Sequence, residues 1–158
     1  MKPQHCTLLF LLRGSEILLA RKKRGFGEGF LNGVGGKIDM GETVEQAMIR
    51  ECQEEIGVTP VTHRKVAVHD FVFTDNDKVM VVHTFLSYEW DGDPAETEEM
   101  APEWFPTNSI PYERMWADDI YWLPLVLEGK LLRTSFWFTG LNLIDSNIRE
   151  VEQGDLDG

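Results

Sequence analysis

The sequence has little cysteine: Cys6 and Cys52 are the only two among 158 residues. Their spacing does not match that of metal ligands, and two thiols do not amount to the disulfide framework that holds many small secreted proteins together. We therefore interpret both as structural thiols of a protein that works in a reducing compartment, and we expect that compartment to be the cytoplasm.

Long apolar runs are also lacking. The run at residues 6–12 is far shorter than the roughly 20 apolar residues that a helix needs to cross a bilayer. It has the length and composition of a β-strand. The sequence therefore predicts no membrane-spanning segment and no membrane partner.

Basic residues are scarce relative to acidic ones, with 15 Lys and Arg against 27 Asp and Glu and a net charge of −12. Such a charge disfavours a nucleic-acid polymer or an anionic membrane as a partner. The one concentration of positive charge is the run of four cations at residues 21–24. Such a run is typical of a solvated strand end, but it can also screen the charge of a small phosphorylated ligand.

The length of the chain fits one domain, because 158 residues can bury about 68 to 70% of their unfolded surface in a single core. We predict this domain at residues 1–151 and expect a monomer. Residues 152–158 are acidic, contain glycine and have only Leu156 to bury. We predict that they form a frayed tail.

Apolar and alternating segments predict a fold with both strands and helices. Strands are expected at residues 6–12, 17–22, 65–74, 79–90, 104–105, 131–139 and 143–151. Short polar or glycine-containing connections pair most of them into hairpins. Helices are expected between Thr43 and Gly57 and from Trp116 to near Gly129, with Asp118 or Asp119 as a possible N-cap of the second. The result is a mixed sheet covered by two helices, of the α+β or α/β class, although the pattern does not settle its topology.

The first predicted helix carries an unusual acidic group. Thr43 and Gln46 form a capping-box signature at its start, and Gly57 favours a left-handed stop at its end. Its apolar stripe consists of Val44, Ala47 and Met48, and one turn further on the same stripe is occupied by Glu51, Glu54 and Glu55. Neighbouring carboxylates about 5.5 Å apart repel by roughly 3 kcal/mol per pair at an effective dielectric constant of about 20. A cation must therefore compensate them.

Two cations could play this part. The acids could form a solvated face with Arg50 as their local partner, or they could hold a metal ion. Ligand sets made only of oxygen, without His or Cys, suit a hard cation such as Mg²⁺ or Mn²⁺ rather than zinc. The apolar residues on the same stripe favour the metal, because they turn this sector toward the core.

The glycine-rich segment at residues 32–37 precedes this helix. Its permissive backbone allows close approach to a phosphate group. It is not a P-loop, because Ile38 stands where that motif requires Ser or Thr, and it does not complete the dinucleotide-binding pattern G-x-G-x-x-G. The glycines gain significance only from the acidic helix that follows them.

Taken together, these residues resemble a known family. Gly36, five residues, Glu42, seven residues and then the run RECQEEIGV at 50–58 are similar to the Nudix box of hydrolases that act on nucleoside diphosphate-linked compounds. Cys52 is a small departure, since a larger aliphatic residue is usual there. The resemblance implies an α/β/α sandwich in which the loop and helix hold a divalent metal, with Glu51, Glu54, Glu55 and the Gly36 carbonyl as ligands.

Within that family the chain resembles the oxidised purine nucleoside triphosphate diphosphatases, of the 8-oxo-dGTP diphosphatase type. The likeness runs from about Thr7 to Val151, and its diagnostic pieces are KKRGFG at 22–27, Asn32, Glu99-Met100 and WADDIYW at 116–122. Ala117 stands where this branch usually has Pro, and Val34 where it has Phe. These departures leave the chemistry intact but weaken any inference about the preferred base.

The resemblance also implies site residues. Asn32, Asp118 and Asp119 would read the purine edge, with the two adjacent aspartates sharing a proton, and Trp116 would stack on the base. Glu99 would complete the metal site or serve as a base beside the three box glutamates. The remaining residues expected to line the substrate site are Thr7, Lys22, Phe26, Val34, Gly35, Gly36, Lys37, Phe71, Phe73 and Trp122.

The resemblance therefore predicts an enzyme that sanitises the nucleotide pool and so prevents DNA damage. It would use Mg²⁺, or Mn²⁺, to convert an oxidised purine nucleoside triphosphate such as 8-oxo-dGTP or 2-oxo-dATP to monophosphate and diphosphate. Two alternatives stay open. One is a Nudix hydrolase of an unmodified or methylated purine nucleotide, and the other is a nucleotide-binding module without catalysis, which the intact set of box glutamates disfavours.

Overall fold

The computed structural model describes residues 2–157 and contains eight strands and two α-helices. The strands are β1 (Gln4–Arg13), β2 (Glu16–Lys22), β3 (Leu31–Asn32), β4 (Thr59–Phe73), β5 (Lys78–Asp91), β6 (Met100–Pro106), β7 (Leu132–Thr139) and β8 (Asn142–Glu150). The helices are α1 (Val44–Ile56) and α2 (Asp119–Leu127), with 3₁₀ turns at Tyr112–Arg114 and Gln153–Asp155. Among residues 2–157, neither helix is long and apolar enough to cross a membrane.

The strands form a mixed sheet in the order β3-β2-β1-β5-β4-β7-β8, and β6 pairs with β2. Strand β1 runs parallel to β5, and β4 runs parallel to β7, whereas the other pairs are antiparallel. Both parallel pairs join segments that are distant in sequence. They place β1, β5 and β4 at the centre of the sheet.

The two helices cover opposite faces of this sheet. Leu8 and Phe10 of β1 belong to the same buried cluster as Trp122 of α2, whereas Leu9 of β1 belongs to the cluster that contains Met48 of α1. Successive side chains of a strand point to opposite faces. The predicted α/β/α sandwich is therefore confirmed.

Most predicted elements are present, with different limits. The hairpins β1–β2, β4–β5 and β7–β8 are confirmed. Strand β4 begins at Thr59 rather than at 65, because it follows β5 along almost its whole length through several bulges. Strand β6 is longer than the predicted 104–105, because it pairs with all of β2. Helix α2 begins at Asp119 rather than at 116.

The end of the chain differs from the predicted frayed tail. Leu156 is completely buried in the core. The Gln153 amide donates to the Lys65 carbonyl at 2.9 Å, and Arg133 Nε donates to the Asp155 carbonyl at 2.9 Å. These contacts hold residues 152–157 against β4 and β7. One buried side chain and two hydrogen bonds to the main chain therefore order a segment whose composition alone indicates disorder.

Candidate active site

Helix α1 is fixed at both ends as predicted. The Thr43 hydroxyl accepts a hydrogen bond from Gln46 N at 3.1 Å, and Thr43 N donates to the Gln46 side chain at 2.9 Å. Gly57 ends the helix in the left-handed conformation, with φ of 73°, and its N–H donates to Gln53 O. This definite start and stop set the rotation of α1, and with it the direction of each glutamate.

The three glutamates of α1 that are predicted to hold metal differ in exposure. The side chain of Glu51 is 14% exposed and that of Glu54 is 58% exposed, whereas Glu55 is buried. Glu51 lies against the glycine-rich loop, since a Cβ atom added at Gly36 would come within 2.6 Å of its carboxylate. The loop and the helix therefore meet as the sequence predicts.

Arg50 gathers the acids around one guanidinium group. Its Nε donates to Glu42 at 2.7 Å, and its Nη1 donates to Glu51 at 2.9 Å and to Glu54 at 3.2 Å. Its Nη2 lies 3.3 Å from Asp39. These hydrogen bonds raise the pKa of Arg50 and lower that of Glu42. Arg50 is therefore the local partner of these acids, as the first of the two interpretations expects, because its long side chain folds back over them.

Glu55 is outside the reach of this arginine. Its Oε2 atom is buried and has no hydrogen-bond partner within residues 2–157. Burial, together with the nearby Glu51 carboxylate, raises the pKa of Glu55 to about 8. An unpaired carboxylate in the interior is costly unless a cation or a proton neutralises it.

The chemistry of these groups fits a divalent metal. The donors are carboxylate oxygens and the main chain of Gly36, which are the ligand types that Mg²⁺ and Mn²⁺ prefer. The orphaned Glu55 oxygen also fits a cation that the protein itself does not supply. Within residues 2–157, no three His, Cys, Asp or Glu side chains are placed so that together they could hold a metal ion. The side chains that would hold the metal are Glu51, Glu54, Glu55 and Glu99.

Glu99 comes from the loop before β6 and lies beside the end of α1. Its carboxylate accepts two hydrogen bonds from Arg24, one of them from Nε at 3.0 Å, and this pairing lowers its pKa. The neighbouring Thr97 hydroxyl donates to the Glu55 carbonyl at 2.8 Å. Glu99 also contributes to the raised pKa of Glu55 through its charge. The structure therefore brings Glu99 close to the acids of α1, as the resemblance implies.

A cavity of about 170 Å³ opens on the α2 face of the sheet. Its walls are mostly apolar and aromatic, with a few polar groups, which is the usual composition of a small-molecule site. Residues predicted for the substrate site that line it are Thr7, Lys22, Phe26, Asn32, Gly35, Gly36, Phe71, Phe73, Trp116, Asp118, Asp119 and Trp122. Lys22 and Gly36 connect this cavity to the acidic helix, because Lys22 also acts electrostatically on Glu55 and Gly36 contacts Glu51.

Trp116 lies among other aromatic rings at the cavity. Its ring centroid is 5.3 Å from that of Phe26 and 5.0 Å from that of Phe30. Gly27 lies beside this ring, and its φ of 86°, rather than the space next to Trp116, is what favours glycine there. Phe26 is half exposed, so this aromatic group reaches the surface at the mouth of the cavity.

Asp118 and Asp119 are the most buried acids of the described chain, at 1% and 2% exposure. The Trp122 indole donates to Asp118 Oδ2 at 2.8 Å, whereas Asp118 Oδ1 and Asp119 Oδ2 have no partner within residues 2–157. Asp118 occupies the N-cap position of α2, as one of the two predicted options, but its side chain makes no capping hydrogen bond. The carboxylates instead face the cavity.

The pKa values of this pair are raised by burial. That of Asp118 rises to about 6, and that of Asp119 rises further because the Asp118 charge adds to its desolvation. Two carboxylates so close together share one proton. The pair then offers one donor and one acceptor to the cavity.

Two predicted residues lie elsewhere. Val34 is buried in the cluster under α1, on the opposite face of the sheet, because its backbone pairs with Leu9 in a register that turns its side chain away. The Lys37 side chain is exposed outside the cavity, and its carbonyl accepts from Arg50 at 3.1 Å. Cavity residues that sequence reasoning missed are Cys6, Leu8, Ala20, Gly27, Phe30, Gly33, Met80, Val82 and Met100. Alternation along β1 and β5 could indicate some of them, but only once their parallel pairing is known.

Comparison with known proteins agrees with this geometry. Residues 2–126 match the NUDIX domain. The oxidized purine nucleoside triphosphate hydrolase of Danio rerio is 44% identical over 147 residues, which cover 92% of this chain and 94% of the relative. The protein of the same name from Mus musculus is 42% identical with the same coverage. Both matches therefore include the cavity as well as the acidic helix.

The fold comparison points the same way. The crystal structure of the mutator MutT protein from Bacillus halodurans aligns with a TM-score of 0.83 at 25% sequence identity. The alignment covers 92% of this chain and 97% of that protein. The sheet and both helices are thus shared along almost the whole length of the two proteins.

Proposed function

This chain belongs to the NUDIX family, and on that basis we propose that it hydrolyses oxidised purine nucleoside triphosphates to monophosphate and diphosphate. The reaction removes damaged nucleotides from the pool before they enter DNA. The observation that carries the proposal is the buried Asp118–Asp119 pair in an aromatic cavity that opens beside the acidic helix. A hydrolase that binds only the phosphate groups of its substrate does not need such a pair, whereas an enzyme that recognises the base does.

The aspartate pair supports recognition of a purine edge. Protonated Asp119 donates, and ionised Asp118, held by the Trp122 indole, accepts. Together they complement a base that presents a carbonyl oxygen next to an N–H group. The Asn32 side-chain oxygen accepts from Gly33 N at 2.8 Å, which leaves the Asn32 amide N–H groups for the base. A proton that can move between the two aspartates would let the cavity accept more than one oxidised purine.

Aromatic contact supplies the non-directional part of binding. The Trp116 ring lies at the cavity with Phe26 and Phe73 around it. In nucleic-acid complexes, stacking of one base on an aromatic ring contributes about 1 to 3 kcal/mol. Trp116 would therefore hold the base in the plane in which Asp118 and Asp119 can read its edge.

The triphosphate would lie toward the acidic helix. Lys22 lines the cavity and lies near Glu55 and Glu99, and we propose that it offsets phosphate charge together with Lys37. Glu51, Glu54, Glu55, Glu99 and the Gly36 carbonyl would hold Mg²⁺, or Mn²⁺. The bound ion would neutralise the phosphate oxygens and lower the pKa of an attacking water. Arg50 donates to Glu51 and Glu54 and orients both carboxylates for this task.

The decisive experiment measures kcat/KM for 8-oxo-dGTP and for dGTP with Mg²⁺ and identifies the products by chromatography. We expect a large preference for the oxidised base, with 8-oxo-dGMP and diphosphate as products. Equal activity on dGTP would contradict the assignment of substrate while leaving the family unaffected. A product mixture of diphosphate nucleotide and phosphate would contradict the proposed reaction.

We further propose that the protein acts as a cytoplasmic monomer on free nucleotides. The charge of −12 disfavours binding to a polynucleotide or an anionic membrane. Cys6 and Cys52 are both buried free thiols, in keeping with a reducing compartment. Light scattering coupled to size-exclusion chromatography would test the monomer, and a mass of twice 18.1 kDa would contradict it.

A further inference from the structure

Lys23, which precedes the loop that contains Phe26 and Phe30, is hydrogen-bonded to the loop that carries Glu99. Lys23 N donates to the Glu99 carbonyl at 2.9 Å, and Lys23 Nζ donates to Glu96 at 2.7 Å and to the Thr97 carbonyl at 2.9 Å. Glu99 N in turn donates to the Thr97 hydroxyl at 3.2 Å. The backbone of Glu99 is therefore held on both sides, and only its side chain needs a further constraint.

Arg24 supplies that constraint. Its Nε and Nη2 atoms both donate to Oε1 of Glu99. Within residues 2–157, Oε2 of the same carboxylate makes no hydrogen bond. Two guanidinium donors on one oxygen hold that oxygen in place and leave the other oxygen of the carboxylate for a second partner.

We propose that Arg24 is a positioning residue that orients the Glu99 carboxylate toward the metal site formed with Glu51, Glu54 and Glu55. This inference rests on the proposed function, because it requires that Glu99 be a metal ligand. Arg24 belongs to the run of four cations, whose ordinary interpretation is a solvated strand end. Its hydrogen bonds go to the Glu99 carboxylate, and the Glu98 carboxylate lies 3.9 Å away on the 89% exposed side chain next to it.

The exposure of the pair argues against a role in stability. Arg24 and Glu99 are 59% and 42% exposed, and ion pairs between exposed side chains contribute little to folding. Arg13 and Glu16 form a second ion pair with nearly the same exposures, 57% and 43%. That pair has no link to the acidic helix in its hydrogen bonds, so it is a matched control.

The test measures Mn²⁺ binding by electron paramagnetic resonance, without nucleotide, in the full-length wild type and in Arg24→Gln and Arg13→Gln variants. Partners that orient a metal ligand typically contribute about 10- to 100-fold to metal affinity. We expect Arg24→Gln to weaken Mn²⁺ binding about tenfold and Arg13→Gln to leave it unchanged. Equal affinity in the two variants, or tighter binding in Arg24→Gln, would overturn the proposal.

A second arm shows whether Arg24 acts through Glu99. In a Glu99→Gln background, the further change Arg24→Gln should have no effect on Mn²⁺ affinity. If it weakens binding as much as in the wild type, Arg24 acts on the site by another route and the proposal fails. The loss of turnover in Arg24→Gln should also be recovered by raising the Mn²⁺ concentration, which a damaged substrate cavity would not allow.

These outcomes are separate from the proposed function. Absence of turnover on 8-oxo-dGTP by the wild type would contradict the proposed substrate and leave the Mn²⁺ measurements as they are. Normal turnover by the wild type together with unchanged Mn²⁺ affinity in Arg24→Gln would contradict only the role of Arg24.

Discussion

The two groups of acids in this protein are neutralised in opposite ways. On α1, Arg50 donates to Glu42, Glu51 and Glu54, so a cation compensates these carboxylates. In the cavity, Asp118 and Asp119 are almost fully buried, and the uncharged Trp122 indole donates to Asp118. The first group is therefore compensated by an arginine, whereas the second is neutralised by a shared proton.

The difference shows how the surroundings of a carboxylate decide its chemistry. Ionised oxygens beside an arginine can accept a metal ion, while a pair that shares one proton can donate and accept hydrogen bonds at the same time. Glu55 lies between the two cases, because it belongs to α1 but is buried beyond the reach of Arg50. The following predictions test this contrast, from the largest expected effect to the smallest.

Removing single carboxylates from α1 should abolish most activity. We expect Glu54→Gln and Glu55→Gln each to lower kcat by about 10³-fold, because loss of a metal ligand removes several kcal/mol of transition-state stabilisation. Steady-state kinetics over a range of Mg²⁺ concentrations would measure this. Glu45→Gln, at an exposed position on the same helix, is the control. Full turnover with unchanged metal dependence in both glutamine variants would show that α1 does not hold the metal.

The protonated group should make stability depend on pH. Folding raises the pKa of Asp118 from 3.8 to about 6, and that of Asp119 further. The folded protein therefore binds more protons than the unfolded chain above about pH 4, and its stability falls as pH rises through 6. The Asp118 shift alone corresponds to at most about 3 kcal/mol.

Urea unfolding at pH 5 and pH 8 measures this effect in the wild type and in an Asp118→Asn/Asp119→Asn double variant. The wild type should lose stability relative to the double variant as pH rises. A stability difference that does not change with pH would show that the aspartate pair stays charged in the folded protein.

Asp119→Asn should separate stability from function. The amide keeps the size of the carboxyl group but cannot exchange its proton with Asp118, so we expect kcat/KM for 8-oxo-dGTP to fall by about 10- to 100-fold. The melting temperature at pH 8 should rise, because the variant no longer places an ionisable acid in the interior. Asp93→Asn, in an exposed loop, should change neither quantity. A fall in both activity and melting temperature would indicate simple damage to the cavity.

Glu42→Gln should have the smallest effect. Arg50 loses one partner but retains Glu51, Glu54 and the Lys37 carbonyl. Because the remaining contacts still orient the guanidinium group, we expect a change of about fivefold or less in the Mg²⁺ concentration needed for half-maximal activity. A loss as large as that of Glu54→Gln would mean that each acid around Arg50 is indispensable, and the contrast with the aspartate pair would disappear.

Local signals predict the acidic part of the site well. The capping residue Thr43, the stop at Gly57 and the hairpin turns each depend on interactions within a few residues, so the sequence alone identifies α1 and three strand pairs. The spacing of Glu51, Glu54 and Glu55 then follows from helix geometry. The resemblance to a known family adds most of the cavity residues.

Long-range pairing explains most of what the sequence does not reveal. The parallel pair β1–β5 brings Cys6, Met80 and Val82 to the cavity, and no local pattern indicates which strands become neighbours. The same holds for Leu156, whose burial depends on a surface that only the completed sheet provides.

The glycine-rich loop lies so close to β1 and α1 that few substitutions are expected to be tolerated in it. A Cβ atom at Gly35 would lie 1.8 Å from the Thr7 carbonyl oxygen, and one at Gly36 would lie 2.6 Å from the Glu51 carboxylate. Neither glycine has a positive φ angle, so the requirement concerns space rather than backbone conformation. In a library of all single substitutions, Gly35 should tolerate no replacement, because its Cβ would meet backbone atoms of Thr7 and Leu8. Gly36 should tolerate only small replacements that move the Glu51 side chain, whereas Gly41, which faces open space, should tolerate the residues that accept its backbone angle.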